Sequence, residues 1–114
     1  MTRPYLHLLL LLLVPTLVVG CTKRESPQLS VEGLRYQEFP GGARIVSGKL
    51  VNKSDVYVGN AQVQLTLFDE HNVGVSSMLI LVKDIPASEA VPFREPVQVD
   101  MDIRAARVKS VLVL

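Results

Sequence analysis

Ala61-Gln62-Val63-Gln64-Leu65-Thr66-Leu67-Phe68-Asp69 is the stretch that decides the fold. Apolar Ala61, Val63, Leu65 and Leu67 alternate with polar Gln62, Gln64 and Thr66. Successive side chains of a strand point to opposite faces, so this period of two predicts a strand with one apolar and one wet face. Val97, Val99, Met101 and Ile103 alternate in the same way with Gln98, Asp100, Asp102 and Arg104, which predicts a second clear strand.

Working outward, less regular strands are expected at Leu34 to Phe39, Arg44 to Asn52, Val73 to Val82 and Val108 to Leu114, with a shorter one at Val91 to Glu95. Turn chemistry separates them: Pro40-Gly41-Gly42, Asn52-Lys53-Ser54-Asp55, Gly59-Asn60 and Asp69-Glu70-His71-Asn72. Ala105-Ala106-Arg107 is readable as a link or as one turn of helix. No long stretch carries a helical period. Six or seven short strands at roughly ten-residue spacing predict an all-β domain, a small immunoglobulin-like antiparallel β-sandwich over residues 31–114, without the Cys and Trp landmarks of antibody domains.

Ahead of that domain, Arg3 precedes an apolar run from Leu6 to Val19 that is interrupted by Pro15. It is too short for an ordinary membrane-spanning helix, which needs about 20 residues. Val18-Val19-Gly20-Cys21 closes it with the chain's only cysteine. This segment resembles a bacterial lipoprotein signal peptide. The resemblance implies cleavage after residue 20, acylation of Cys21 on its sulfur as with palmitate, and anchorage facing the periplasm. Thr22, where retained lipoproteins carry Asp, directs the expectation to the outer membrane of a Gram-negative cell. Residues 21–30, polar and containing Pro27, then form a lipidated N-terminus and tether that reaches at most roughly 30 Å, so the domain stays close to its membrane.

Removing 20 of the 114 residues leaves 94, enough for one small domain. The same cut removes Arg3 and leaves eleven Lys plus Arg against eleven Asp plus Glu. A balance of zero excludes a global basic field and therefore points to neither nucleic acid nor an anionic lipid surface. With its one thiol acylated the domain has no disulfide, and packing alone must hold it.

Leu65-Thr66-Leu67-Phe68-Asp69 resembles the naming motif of the FxLYD domain, a small immunoglobulin-like family of prokaryotic envelope and secreted proteins. Val46, Gly48, Leu50, Asn52 and Ser54 are similar to its alternating strand ending in an Asn turn. Ile85-Pro86-Ala87-Ser88-Glu89 with Phe93 resembles its Pro-Gly-Glu turn and following Phe, Ser88 standing in place of the Gly. The similarity covers about Arg44 to Phe93 and implies a fold, with no catalytic residue.

Candidate chemistry is sparse. His71 is the one histidine left after cleavage, and with no free cysteine there is no soft-ligand zinc set. Asp69, Glu70 and Asn72 lack calcium-loop spacing, and Asp69 is better read as bonding turn N–H groups. Asp100 and Asp102 share the wet face of the expected strand. Ser76 or Ser77 would need His71 as a base and lack a nucleophile elbow. Asn52-Lys53-Ser54 matches a glycosylation sequon but reads as a turn, as does Pro40-Gly41-Gly42, which lacks the Lys of a phosphate loop. Val111-Leu112-Val113-Leu114 is apolar on both faces and is expected to be buried between layers, or else to offer an edge to a partner's sheet.

The expected function is a non-catalytic, lipid-anchored interaction or structural module of the cell envelope, with the membrane and an envelope protein as partners and with no cofactor, metal or nucleic acid. The alternative is a carrier or assembly lipoprotein that holds an apolar cargo or an unassembled envelope subunit. A carrier needs an apolar concavity, whereas an edge-binding module needs an accessible strand.

Overall fold

The computed structural model describes residues 27–114, so the leader and Cys21 lie outside the described residues. Six strands follow in order: β1 (Leu29–Glu38), β2 (Arg44–Asn52), β3 (Val58–Phe68), β4 (Gly74–Ile85), β5 (Ala90–Pro96) and β6 (Ala105–Val113). They form two three-stranded antiparallel sheets, β1-β2-β5 and β4-β3-β6. Their apolar faces meet as a β-sandwich.

β3 forms as its alternation dictates. Ala61, Val63, Leu65 and Leu67 are fully buried, and Gln62, Gln64 and Thr66 line the opposite, half-exposed face. Val46 and Leu50 from β2, Ile80, Val82 and Ile85 from β4, and Phe93 from β5 complete the core. Gly48 is required here, because a Cβ would stand 2.9 Å from the Phe93 ring.

Val97 to Ile103 does not form the expected strand. β5 ends at Pro96, and the chain crosses from one sheet to the other without a ladder partner. Its alternation survives because Val97 and Ile103 still plug the core, while Met101 is exposed. Single contacts satisfy its backbone: Val97 N–H donates to Arg44 O (2.9 Å), Arg104 N–H donates to Phe68 O (2.7 Å), and the Arg44 guanidinium donates to the carbonyls of Val99 and Met101. Period two reports alternating burial, which an extended crossover shares with a strand.

Three smaller corrections follow. β1 begins at Leu29, so Leu29 and Ser30 belong to the sheet and not to the tether; Leu29 pairs with Asn52 and packs against the core. Ala105 to Arg107 is strand, paired with Thr66 to Phe68, and not a helical turn. The terminal run is not buried between layers: Leu112, Val113 and Leu114 are 48%, 44% and 64% exposed. β6 is an edge with one neighbour, and its end runs past the core, where Leu114 N–H reaches Asn60 O at 3.0 Å.

Candidate functional site

Among the described residues Asn52 is the one polar residue buried in the core, and its amide is completely satisfied. Its Nδ2 donates to Val56 O (2.8 Å) and Ile85 O (3.2 Å), and its Oδ1 accepts from Ser54 N–H (3.0 Å) and Ser54 Oγ (2.6 Å). Its backbone N–H reaches Glu89 O at 2.8 Å, and Ser88 N–H reaches Ser54 O at 3.0 Å. One amide therefore ties the β2–β3 connection to the end of β4 and the β4–β5 turn. Both amide donors point inward, so the sequon is a turn brace and no acceptor of sugar. Ser88 holds φ at +62°, a left-handed conformation that glycine adopts without strain.

The Asp69 to Asn72 turn is braced in a similar way. Asp69 Oδ1 accepts from His71 N–H (2.8 Å) and Val73 N–H (3.0 Å), and the Val73 bond first, with the His71 bond behind it, holds its carboxyl below the ordinary carboxylate value against some desolvation. His71 turns to Glu70 at 3.6 Å. Asp102 pairs with Arg104 at 3.4 Å and, like Asp100, lies exposed on the crossover and not on a strand face. Ser76 and Ser77 point to opposite sides of β4, and among the described residues neither is hydrogen-bonded to His71. Asp69, Glu70, His71 and Asp102 line one open concavity with Val75 and Met101, but among the described residues no three of them are placed to hold a metal ion, and neither serine joins His71 as a nucleophile would. Tyr57 donates to Asp84, which raises the phenol pKa above its usual value.

Two surfaces escaped the sequence reading. The first is the β4 edge. Each sheet has two edge strands, and three of the four are blunted: β1 by the bulge at Gly33 (φ +65°), β5 by Pro92 and Pro96, and β6 by a bulge carrying Lys109. From Ser76 to Val82, β4 has no proline, charge or break in register, and Leu79 and Leu81 are 59% and 53% exposed. Edges of that kind are templates for strand pairing.

The second is a concavity of about 680 Å³ on the outer face of the β1-β2-β5 sheet, rimmed by Glu32, Arg35, Gln37, Ser47, Lys49 and Arg94 over a floor of Gly48 and Phe93. Arg35, Ser47 and Arg94 form one cross-strand row, and Lys49 follows two residues along β2 on the same face. Only the register reveals this row, because the three strands are far apart in sequence.

No family model and no curated protein matches this chain. Its fold is similar to the solved structure of IrmA from Escherichia coli, with a TM-score of 0.58 and 11% identity over 75% of this chain and 76% of that one, a likeness that shows a small β-rich fold and nothing about activity.

Proposed function

We propose that this chain is a non-catalytic, lipid-anchored interaction module of the bacterial cell envelope that binds an envelope protein by adding a strand to β4. The observation that carries this reading is the unblunted Ser76–Val82 edge beside three blunted ones. A partner strand gains main-chain hydrogen bonds there, and Leu79 and Leu81 supply side-chain contacts. The lipoprotein-like leader with Cys21 supports anchorage. The packing of Phe93 on Gly48 and the Asn52 brace support the FxLYD resemblance, since the matching residues form one physical unit. An apolar-cargo carrier is less favoured: Leu50, Leu65, Leu67 and Ile80 fill the space between the sheets, and the concavity is rimmed by charge.

The test uses the full chain in its native cell with a photo-crosslinker at Ser77 and, separately, at Lys109 on the blunted β6 edge. The expected result is one discrete protein adduct at Ser77, lost on Leu79→Lys and weakened on Cys21→Ser, which also abolishes fatty-acid labelling. Equal adducts at both edges, or an adduct indifferent to Leu79→Lys, overturns strand addition. Fatty-acid label retained by Cys21→Ser, or absent from the parent, overturns the anchor.

A further inference from the structure

The chain's balanced charge conceals a separation in space. Asp55, Asp69, Glu70, Glu89, Asp100 and Asp102 sit in the connections between strands, and of the four acids on strands, Glu32, Glu38, Asp84 and Glu95, only Glu32 shares the sheet face of Arg35, Lys49 and Arg94. Strands lie about 4.8 Å apart and alternate residues about 7 Å apart, so the backbones of Arg35 and Arg94 stand about 10 Å apart on either side of Ser47, with Lys49 about 7 Å along β2. Those spacings are about one Debye length at physiological salt, close enough for the three charges to act together. All three are exposed, and none has a carboxylate within ion-pair distance among the described residues. Glu32 stands opposite Lys49 in register, but its carboxylate is directed to Lys53 at 3.8 Å. The other sheet presents no comparable cluster: its outer face shows Gln62, Gln64, Thr66, Leu79, Leu81 and Leu112 with the single cation Lys83 at one end, and at the other end Arg107 is stacked on Phe68 at 4.1 Å and bonded to Asn72.

We propose that the outer face of the β1-β2-β5 sheet docks on anionic phospholipid headgroups. Arg35 and Arg94 bind phosphate oxygens from the two sides of Ser47, whose hydroxyl supplies a further donor, and Lys49 adds a point charge. A shallow, open depression fits a surface of headgroups, in contrast to an enclosed pocket for one small anion. Charge complementarity selects that occupant, and so does position: β1, which carries Arg35, is the strand that follows the tether. The inference rests on the anchored reading for the way this face reaches the bilayer. Each cation near an anionic surface contributes about fivefold in affinity, so three give on the order of a hundredfold.

Phenylglyoxal footprinting of the full chain tests it, with the chain in vesicles of phosphatidylglycerol, in vesicles of phosphatidylcholine, and in phosphatidylcholine vesicles with added inorganic phosphate. Arg35 and Arg94 should react several-fold more slowly in phosphatidylglycerol alone, while Arg104 is unchanged. In the variant Arg35→Gln/Arg94→Gln, Lys49 should regain full reactivity toward an acylating reagent. Equal reactivity in the two lipids overturns the proposal, as does equal protection by inorganic phosphate, which would mean a free-anion site. A chain that fails to sediment with either vesicle counts against the anchor alone; the lipid dependence of protection is then read on vesicles simply mixed with the chain.

Discussion

At the scale of single residues, Asn52 makes the sharpest demand on chemistry. Its amide faces two carbonyls while its oxygen faces two donors, so no isosteric apolar group can replace it. Asn52→Ala should cost about 2 to 4 kcal/mol, because the abandoned partners are desolvated and left unpaired. Asn52→Asp keeps the acceptor but turns a second oxygen toward the carbonyls of Val56 and Ile85. Burial raises the folded-state pKa of that carboxyl above its unfolded value of about 3.9. Below the unfolded value both states are protonated and the ionic penalty vanishes; as pH rises through the window up to the folded pKa, stability falls. Urea midpoints should therefore show the Asn52→Asp deficit shrinking at low pH without closing, because a carboxylic acid has one donor for the two carbonyls that the amide satisfies, and a constant gap for Asn52→Ala. The sequence made Asn52 legible as a turn former from its Lys-Ser-Asp neighbours. Its burial was hidden, because it depends on Ile85, a residue of another strand.

At the scale of elements, β3 was legible in full and the segment after β5 was misread, for one reason. Alternation records which side chains are buried, and the core accepts Val97 and Ile103 as readily from a crossover as from a strand. What distinguishes them is a hydrogen-bonding neighbour, and no local pattern encodes that. Arg44 supplies the missing partners through two carbonyls of the crossover. Hydrogen bonds to charged groups contribute about 1.5 to 3 kcal/mol each when sheltered, and this pair is partly exposed, so Arg44→Ala should cost about 1 to 3 kcal/mol in total. The effect should also be local. Hydrogen exchange of the Val97 and Arg104 amides, the two of this segment that donate to backbone carbonyls, should accelerate far more than that of Val63, Leu65 and Leu67 in β3, which report global opening. Uniform acceleration across both sets would show that the crossover is held by Val97 and Ile103 rather than by the guanidinium.

At the scale of the whole molecule, both the β-rich architecture and the small size followed from composition and period, while the distribution of charge and the free edge did not. A net balance is a sum, and only strand register converts it into a face with Arg35, Lys49 and Arg94 on one sheet and an uncharged Ser76–Val82 edge on the other. Two sheets of three strands can hold that division only if the core is self-sufficient, since no disulfide is available to a chain with one cysteine. The buried set draws from β2, β3, β4, β5 and the crossover, and Leu29 and Val31 of β1 pack against it. Among the described residues nothing in that set precedes Leu29, but Gln28 O accepts Lys53 N–H at 2.9 Å and so closes the start of β1. Residues 27–114 should therefore fold alone, with a far-ultraviolet spectrum of strand and a single cooperative urea transition at the same midpoint as the full chain in mild detergent. Starting instead at Leu29 removes that carbonyl and should lower the midpoint slightly without loss of cooperativity. Loss of the transition in the 27–114 chain would mean that the N-terminal segment contributes to the core, and would tie the folding of the sandwich to its membrane anchor.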